Sequence, residues 1–219
     1  DDRLVDRLGP MAPPGLAWIG AGAPEAWTEA LALRGDHNRA NARIAAACLA
    51  AIGVDGADDP ARLLTAAPGY EPLPSRLTTI AAHHGVEFVD DSLSTNVLPT
   101  VAALDVFAGR PVALLAGGQD RGIDYGPLAE HLSARGQPTV LVTLPPGGER
   151  IGVLARALDV GTEDAADMTT AVAFAERWCR AAGGGVVLLS PAAPSYGPYR
   201  DYRERAEHFA AAVAATTGS

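Results

Sequence analysis

Lysine is missing from this chain: all 17 of its basic side chains are arginine. Any site that would use a compact ammonium must here use a planar guanidinium, which stays charged and grips anions through a fixed fork. Positive charge is scarce as well. Against 26 acidic residues the net charge is −9, which argues against general nucleic-acid binding, because that depends on a basic face that neutralises phosphates. A local anion site stays open. No apolar run approaches the roughly 20 residues of a membrane span. Asp1–Arg7 are charged where a secretory leader needs an apolar centre. Cys48 and Cys179 are the only cysteines, each within an apolar helical pattern, and both are expected to be buried, reduced thiols. Zinc spacing, a Ser-His-Asp arrangement and a dinucleotide Gly-x-Gly-x-x-Gly fingerprint are lacking. Asp55, Asp58 and Asp59 read as a solvated loop, so no metal site is expected. Together these absences point to a cytoplasmic protein.

What is present is an alternation of strands and helices that becomes regular after about residue 73. Val86–Val89, Val112–Leu115, Thr139–Thr143 and Val186–Leu189 are short apolar runs bounded by Gly, Pro or charge. Helical patterns fall at Pro99–Phe107, Tyr125–Ser133, Arg150–Ala157 and Met168–Ala182, and a last one over Tyr199–Ala214. Continuous apolar strands between amphipathic helices predict an α/β domain, with a mostly parallel sheet covered on both faces. His83 and His84 close a helical-looking stretch and read as a surface helix terminus.

The first 70 residues differ. Trp18-Ile19 and Leu31-Ala32-Leu33 suggest strands of a small hairpin or sheet edge. A helix is predicted from Arg39 to about Ile52, with Ala40, Ile44, Ala47, Cys48 and Ala51 on one face and Asp36 as its N-cap. A second helix is expected over Pro60–Ala66. Three prolines and a glycine within Pro68–Pro74 make a stiff connector. The predicted domains are therefore 1–73 and 74–219.

Three segments carry groups suited to chemistry. The strand Val86–Val89 runs into Asp90-Asp91-Ser92-Leu93-Ser94-Thr95-Asn96, where carboxylate, hydroxyl and amide groups cluster at a strand end, the usual ligand edge of an open α/β sheet. Arg76 lies 15 residues before Asp91, near enough for a strand that folds back to bring them to one crevice. In Gly117-Gly118-Gln119-Asp120-Arg121-Gly122-Ile123-Asp124, glycines follow a strand and precede a helix, which lets a backbone approach a ligand and aims a helix start at an anion. Ser190-Pro191-Ala192-Ala193-Pro194-Ser195-Tyr196 offers hydroxyl and N–H donors after the last strand. Upstream, Gly35-Asp36-His37-Asn38-x-x-Asn41 opens the long helix. Each segment by itself also reads as an ordinary cap or turn.

Taken together and in this order, the four segments resemble the motifs of the Mur ligases, ATP-dependent enzymes that build the peptide of bacterial cell walls. The resemblance spans about residues 30 to 215. It implies a Rossmann-like C-terminal domain preceded by the tail of an α/β ATPase central domain. It also implies that Asn41, and after it Asn38, meets the adenine of ATP, and that Arg76 and Asp91 contact the phosphate and ribose regions. Thr95 would help to hold the amino-acid carboxylate. Arg121, in place of the family's lysine, would bind that carboxylate bidentately. The stretch from Ser190 resembles the branch that joins glutamate to UDP-N-acetylmuramoyl-L-alanine; there Ser195 and Tyr202, with the backbone N–H of Tyr196, would line the glutamate pocket. Gly197 and Ala206 depart from the motif, and Ser75 replaces a frequent histidine.

A Gly-x-x-x-x-Gly-Lys-[Ser/Thr] phosphate loop is lacking. The chain is thus expected to begin after the middle of the central domain, to contain no catalytic residue of its own, and to be inactive alone. ATP and Mg²⁺ would need the missing part. The implied reaction activates the UDP-N-acetylmuramoyl-L-alanine carboxylate as an acyl phosphate, which the glutamate amine then attacks. A monomer, with no nucleic-acid or membrane partner, is expected. Leu93 stands where the family has lysine, and Lys→Arg drift does not account for it. This specificity candidate points to L-glutamate or a related acidic amino acid rather than D-glutamate. Two alternatives stay open: a non-catalytic amino-acid or nucleotide-binding module, and a peptide ligase of secondary metabolism.

Overall fold

A computed structural model describes residue 10 and residues 18–217; the reading of Asp1–Arg7 lies outside these. The chain divides into two compact units, Asp1–Pro72 and Leu73–Ser219.

In unit 1, helices α1 (Ala26–Ala30), α2 (Asp36–Ala51) and α3 (Pro60–Ala66) are joined by turns. The strands expected at Trp18-Ile19 and Leu31–Leu33 do not form. Glu25 and Thr28 exchange hydrogen bonds, the Glu25 N–H donating to Thr28 Oγ1 at 3.1 Å. That reciprocal cap starts α1, and Leu31 and Ala32 form the turn that ends it, Ala32 at φ 52°. The N-cap of α2 is Gly35, at φ 85°, and not Asp36, which lies in the first turn and pairs with Arg39 at 2.8 Å. The expected apolar face is only partly turned inward. Ile44, Cys48 and Ala51 are exposed, whereas Ala42, Arg43, Ala46 and Ala50 are half-buried. In so alanine-rich a helix, periodicity discriminates faces weakly, and the Arg43–Glu25 ion pair beside buried Trp27 fixes the inward side. Cys48 is therefore an exposed thiol, contrary to expectation, while Cys179 is buried. Asp59 caps α3 by accepting from the Ala61 N–H at 2.9 Å, with Pro60 at its first position.

Unit 2 is one six-stranded sheet. Its strands are β1 (Thr78–His83), β2 (Val86–Asp90), β3 (Val112–Ala116), β4 (Thr139–Thr143), β5 (Gly161–Asp164) and β6 (Gly185–Leu189), in the order β1-β2-β6-β3-β4-β5. All pairs are parallel except β1 with β2. Residues alternate between two cores. Val112, Leu114 and Ala116 face one core, with helices α4 (Val97–Val106), α5 (Gly126–Ala134) and α6 (Gly148–Arg156). Ala113 and Leu115 face the other, with α7 (Met168–Ala181) and α8 (Tyr202–Thr217). The period of two along fully buried strands requires cover on both sides.

Two strands escaped the sequence reading. His83 belongs to β1, not to a helix end. His84 at φ 51° and Gly85 at φ 77° make a two-residue hairpin turn with both residues left-handed, and the alanines before it read as helix because the edge strand is largely exposed. β5 is a four-residue edge strand, too short and polar to register. None of the described helices is long and apolar enough to cross a membrane.

Arg135 locks α4 to the sheet. Its guanidinium donates to Leu104 O at 2.8 Å, Phe107 O at 2.9 Å and Arg110 O at 3.0 Å, and its Nε to Thr139 Oγ1 at 2.9 Å. It thus satisfies carbonyls that the end of α4 leaves open. Arg135→Ala is expected to lower the unfolding free energy by about 2 kcal/mol, read from urea denaturation. Arg135→Lys should recover less than half, since one ammonium cannot copy the fork.

Candidate functional site

Strands β2, β6, β3 and β4 run parallel, so the loops that follow them emerge at one edge. The helices after β2 and β3 pack on one face, and the helix after β6 on the other. β6 is therefore flanked on both sides by a change of face, where crevices open at carboxyl ends. The loop after β6 lies between those of Asp91 and Gly117.

Asp91 is the centre of this edge. It is buried, and its Oδ2 accepts from Ser94 Oγ at 2.5 Å and Ser190 Oγ at 2.8 Å, while Oδ1 accepts from the Leu77 N–H at 3.2 Å. Burial pushes its carboxyl up to about 6, more than those hydrogen bonds and the Arg76 charge pull it down. Arg76 and Asp91 are thus brought together by the antiparallel pairing of β1 with β2, a strand folding back as expected. Ser75 and Leu77 flank Arg76 at φ 60° and 50°, and Leu93 N–H donates to Ser75 O at 3.1 Å. Each left-handed non-glycine costs about 1–2 kcal/mol, and the Asp91 bond to Leu77 helps to hold this one. Ser92 Oγ donates to Asp90 at 2.6 Å, and Ser190 also meets Thr100 at 3.1 Å. Ser94 and Ser190 were named in the sequence only as members of their segments, with no role assigned, and Thr100 was not named. A signal for two of them existed, since each serine follows closely on a strand end.

The rim is more open. Thr95 is exposed; Asn96 is the N-cap of α4, accepting from Val97 N–H at 2.7 Å. Leu93 is half-buried and Arg121 is exposed. No ion pair or hydrogen bond engages the Arg76 or Arg121 guanidinium among the described residues. Ser195 is buried, Tyr196 exposed and Tyr202, the first residue of α8, half-buried.

The Gly117-Gly118 turn departs from expectation. Its amides do not await an anion: Gly117 N–H donates to Pro191 O at 2.9 Å, Gly118 N–H to Pro146 O at 3.0 Å and Gln119 N–H to Pro194 O at 2.8 Å. The glycines serve close packing of three loops. Asp120 is likewise occupied, its carboxyl held low by Arg150 at 2.5 Å and the Gly122 N–H.

Arg205 was overlooked although it sits in the last motif. It is 1% exposed, donating to Ala193 O at 3.0 Å and Ser92 O at 2.7 Å, with its Nε–H unpartnered among the described residues. Burial brings its guanidinium down to about 10.

In unit 1, Asn38 is buried and donates to Arg34 O at 2.8 Å, which occupies part of its amide, while Asn41 is exposed. Two hollows of about 410 and 450 Å³ open in this unit, but neither is lined by these asparagines. Among the described residues no group of three His, Cys, Asp or Glu could hold a metal ion.

Such a sheet, mostly parallel, covered by helices on both faces and with the loops after β2, β3 and β6 at one carboxyl edge, is an open α/β domain. It is similar in fold to the UDP-N-acetylmuramate–alanine ligase of Thermotoga maritima, at TM-score 0.55 and 17% identity over 84% of this chain and 39% of that one. No family model matches the chain. Curated relatives are more decisive. The UDP-N-acetylmuramoyl-L-alanine–L-glutamate ligase of Micromonospora sp. is 44% identical over 208 residues, 94% of this chain and 45% of the relative. That of Salinispora tropica is 40% identical over 226 residues, 99% of this chain and 50% of the relative. Over nearly its whole length the chain is similar to part of these glutamate-adding Mur ligases. It spans about half the length of the curated relatives it matches.

Proposed function

We propose that this chain is the C-terminal portion of an ATP-dependent ligase that joins L-glutamate to UDP-N-acetylmuramoyl-L-alanine. The observation that carries this reading is the Asp91 edge, where Arg76, Leu93 and Thr95 gather on one loop system beside Ser195. Two relatives whose names specify L-glutamate support it. Asp91 and Arg76 are assigned to the nucleotide's ribose and phosphate side, and exposed Asn41 to the adenine, with Asn38 second. Thr95, Arg121, Ser195, Tyr196 and Tyr202 are assigned to the amino acid. Arg121, free of partners among the described residues, presents two parallel donors to a carboxylate. Unit 1 is assigned to the tail of the central ATPase domain.

ATP supplies the phosphoryl group that activates the acceptor carboxylate. This chain's residues orient: they hold glutamate so that its amine faces the activated carbon, a contribution of positioning rather than bond-making. Among the described residues no group of three His, Cys, Asp or Glu could hold the Mg²⁺ that the resemblance implies. The chain alone is expected to be inactive, and the whole protein cytoplasmic.

Leu93 removes a cation from the amino-acid side and is assigned to enantiomer choice. The longer protein containing this chain, assayed with both enantiomers, is expected to favour L-glutamate by at least tenfold in kcat/KM, about 1.4 kcal/mol in transition-state binding. Leu93→Lys should shrink that ratio. A preference for D-glutamate overturns the assignment, and absence of ligase activity with glutamate binding retained would favour a binding module instead.

A further inference from the structure

Burying a guanidinium is costly unless its donors are used. Arg205 is enclosed almost completely, yet its Nε–H has no acceptor among the described residues. Packing alone would be served by an apolar side chain of similar length. What the arginine adds is a two-pronged connection: one terminal nitrogen holds Ser92 O and the other Ala193 O.

These carbonyls belong to different loops. Ser92 lies in the loop of Asp91, Leu93 and Thr95, and Ala193 in the loop of Ser195 and Tyr196. Both loops leave adjacent parallel strands, β2 and β6, and are otherwise tied at their roots, where the Asp91 N–H donates to Leu189 O and Ser190 Oγ to Asp91, each at 2.8 Å. Arg205 is also three residues beyond Tyr202 in α8, close to the same helix face. We infer that Arg205 is a positioning residue, a fork that sets the Thr95 loop, the Ser195 loop and the Tyr202 helix start in one register. Burial opposes the charged fork, and Tyr199 and then Asp90 partly offset it. A lysine carries the charge but not the planar, divergent donors.

This inference rests on the amino-acid site proposed above, but its first test does not need activity. In the 219-residue chain, Arg205→Met and Arg205→Lys are compared with wild type by amide hydrogen exchange. Both substitutions are expected to speed exchange at Leu93, Ser94 and Gln119 at least tenfold. These amides donate to Ser75 O, Asp91 O and Pro194 O respectively. Amides of β3 and β4 should be unchanged. Unaltered protection in the loops overturns the proposal, as does loss of protection throughout the sheet, which would mark Arg205 as general support. Should the methionine variant not fold, the lysine variant decides. The second test uses the longer ligase: both variants should raise KM for glutamate at least tenfold with kcat within threefold. A fall in kcat at unchanged KM overturns the register role. A wild-type protein with no ligase activity defeats the functional reading instead, and leaves the exchange result standing.

Discussion

Alanine at Gly117 or Gly118 is expected to destabilise unit 2 by about 2–6 kcal/mol, combining about 1–3 for overpacking with about 1–3 for the backbone. A Cβ at Gly117 would stand 2.0 Å from Leu144 O, and one at Gly118 2.2 Å from Pro194 O. Both obstacles are backbone, so neither can swing aside as a side-chain tip would. Both positions also have positive φ, 143° and 150°, where a side chain is strained whatever the space. The upper part of the range is favoured because the same turn donates three N–H groups to neighbouring loops. Denaturant unfolding of the two variants measures the loss. Gly109→Ala is the control, since nothing lies within 4 Å of its Cβ. A loss below about 1 kcal/mol at both sites would mean that the three loops can part freely, contrary to the close packing described.

The second large effect concerns Asp91 and pH. Its carboxyl titrates at about 6 in the fold against an ordinary 3.8, so the folded chain holds that proton more tightly than the unfolded chain. The stability this group contributes is full below about pH 4 and is lost as pH rises through about 6. Two pKa units correspond to about 3 kcal/mol, an upper figure. Asp91→Asn cannot ionise. Its oxygen can still accept from Leu77 N–H, and its amide can donate to the two serine hydroxyls. Relative to wild type, the asparagine variant should therefore gain up to about 3 kcal/mol between pH 4 and pH 7. Other carboxyls with lowered values, such as Asp164 and Asp167, are common to both proteins and cancel in the difference. A flat difference across that interval would show that the carboxylate is solvated or fully compensated. The same variant should weaken nucleotide binding in the longer protein, so that stability and function separate at one residue.

Why the sheet could be read in advance and the site only in outline follows from where each signal resides. Val112–Ala116 and Gly185–Leu189 are apolar at every position, a pattern that only a strand buried on both faces requires. Asp167 and Asn96 cap the helices α7 and α4 through their own neighbours. Such information is local, and it survives in one dimension. β1 was misread because its alanines favour helix and its pairing with β2 supplies what propensity does not. In α2, with alanines on several faces, an ion pair from Glu25 chose which side turned inward.

The site divides in the same way. The carboxylates, hydroxyls and arginines of Arg76–Asn96, Gly117–Asp124 and Ser190–Tyr202 could be recognised as chemistry-bearing from residue type and order alone. By itself, then, the chain's lettering determined the α/β class, the strands of the central sheet and the stock of groups at its carboxyl edge. Only the tertiary structure decided that Asp91 is buried among Ser94, Ser190 and Leu77, that the amides of the Gly117-Gly118 turn are spent on neighbouring loops, and that Arg205 joins Ser92 to Ala193. Those facts depend on contacts between residues up to 113 positions apart. Burial, hydrogen-bond satisfaction and electrostatic shift are properties of such contacts, and no stretch of sequence contains them.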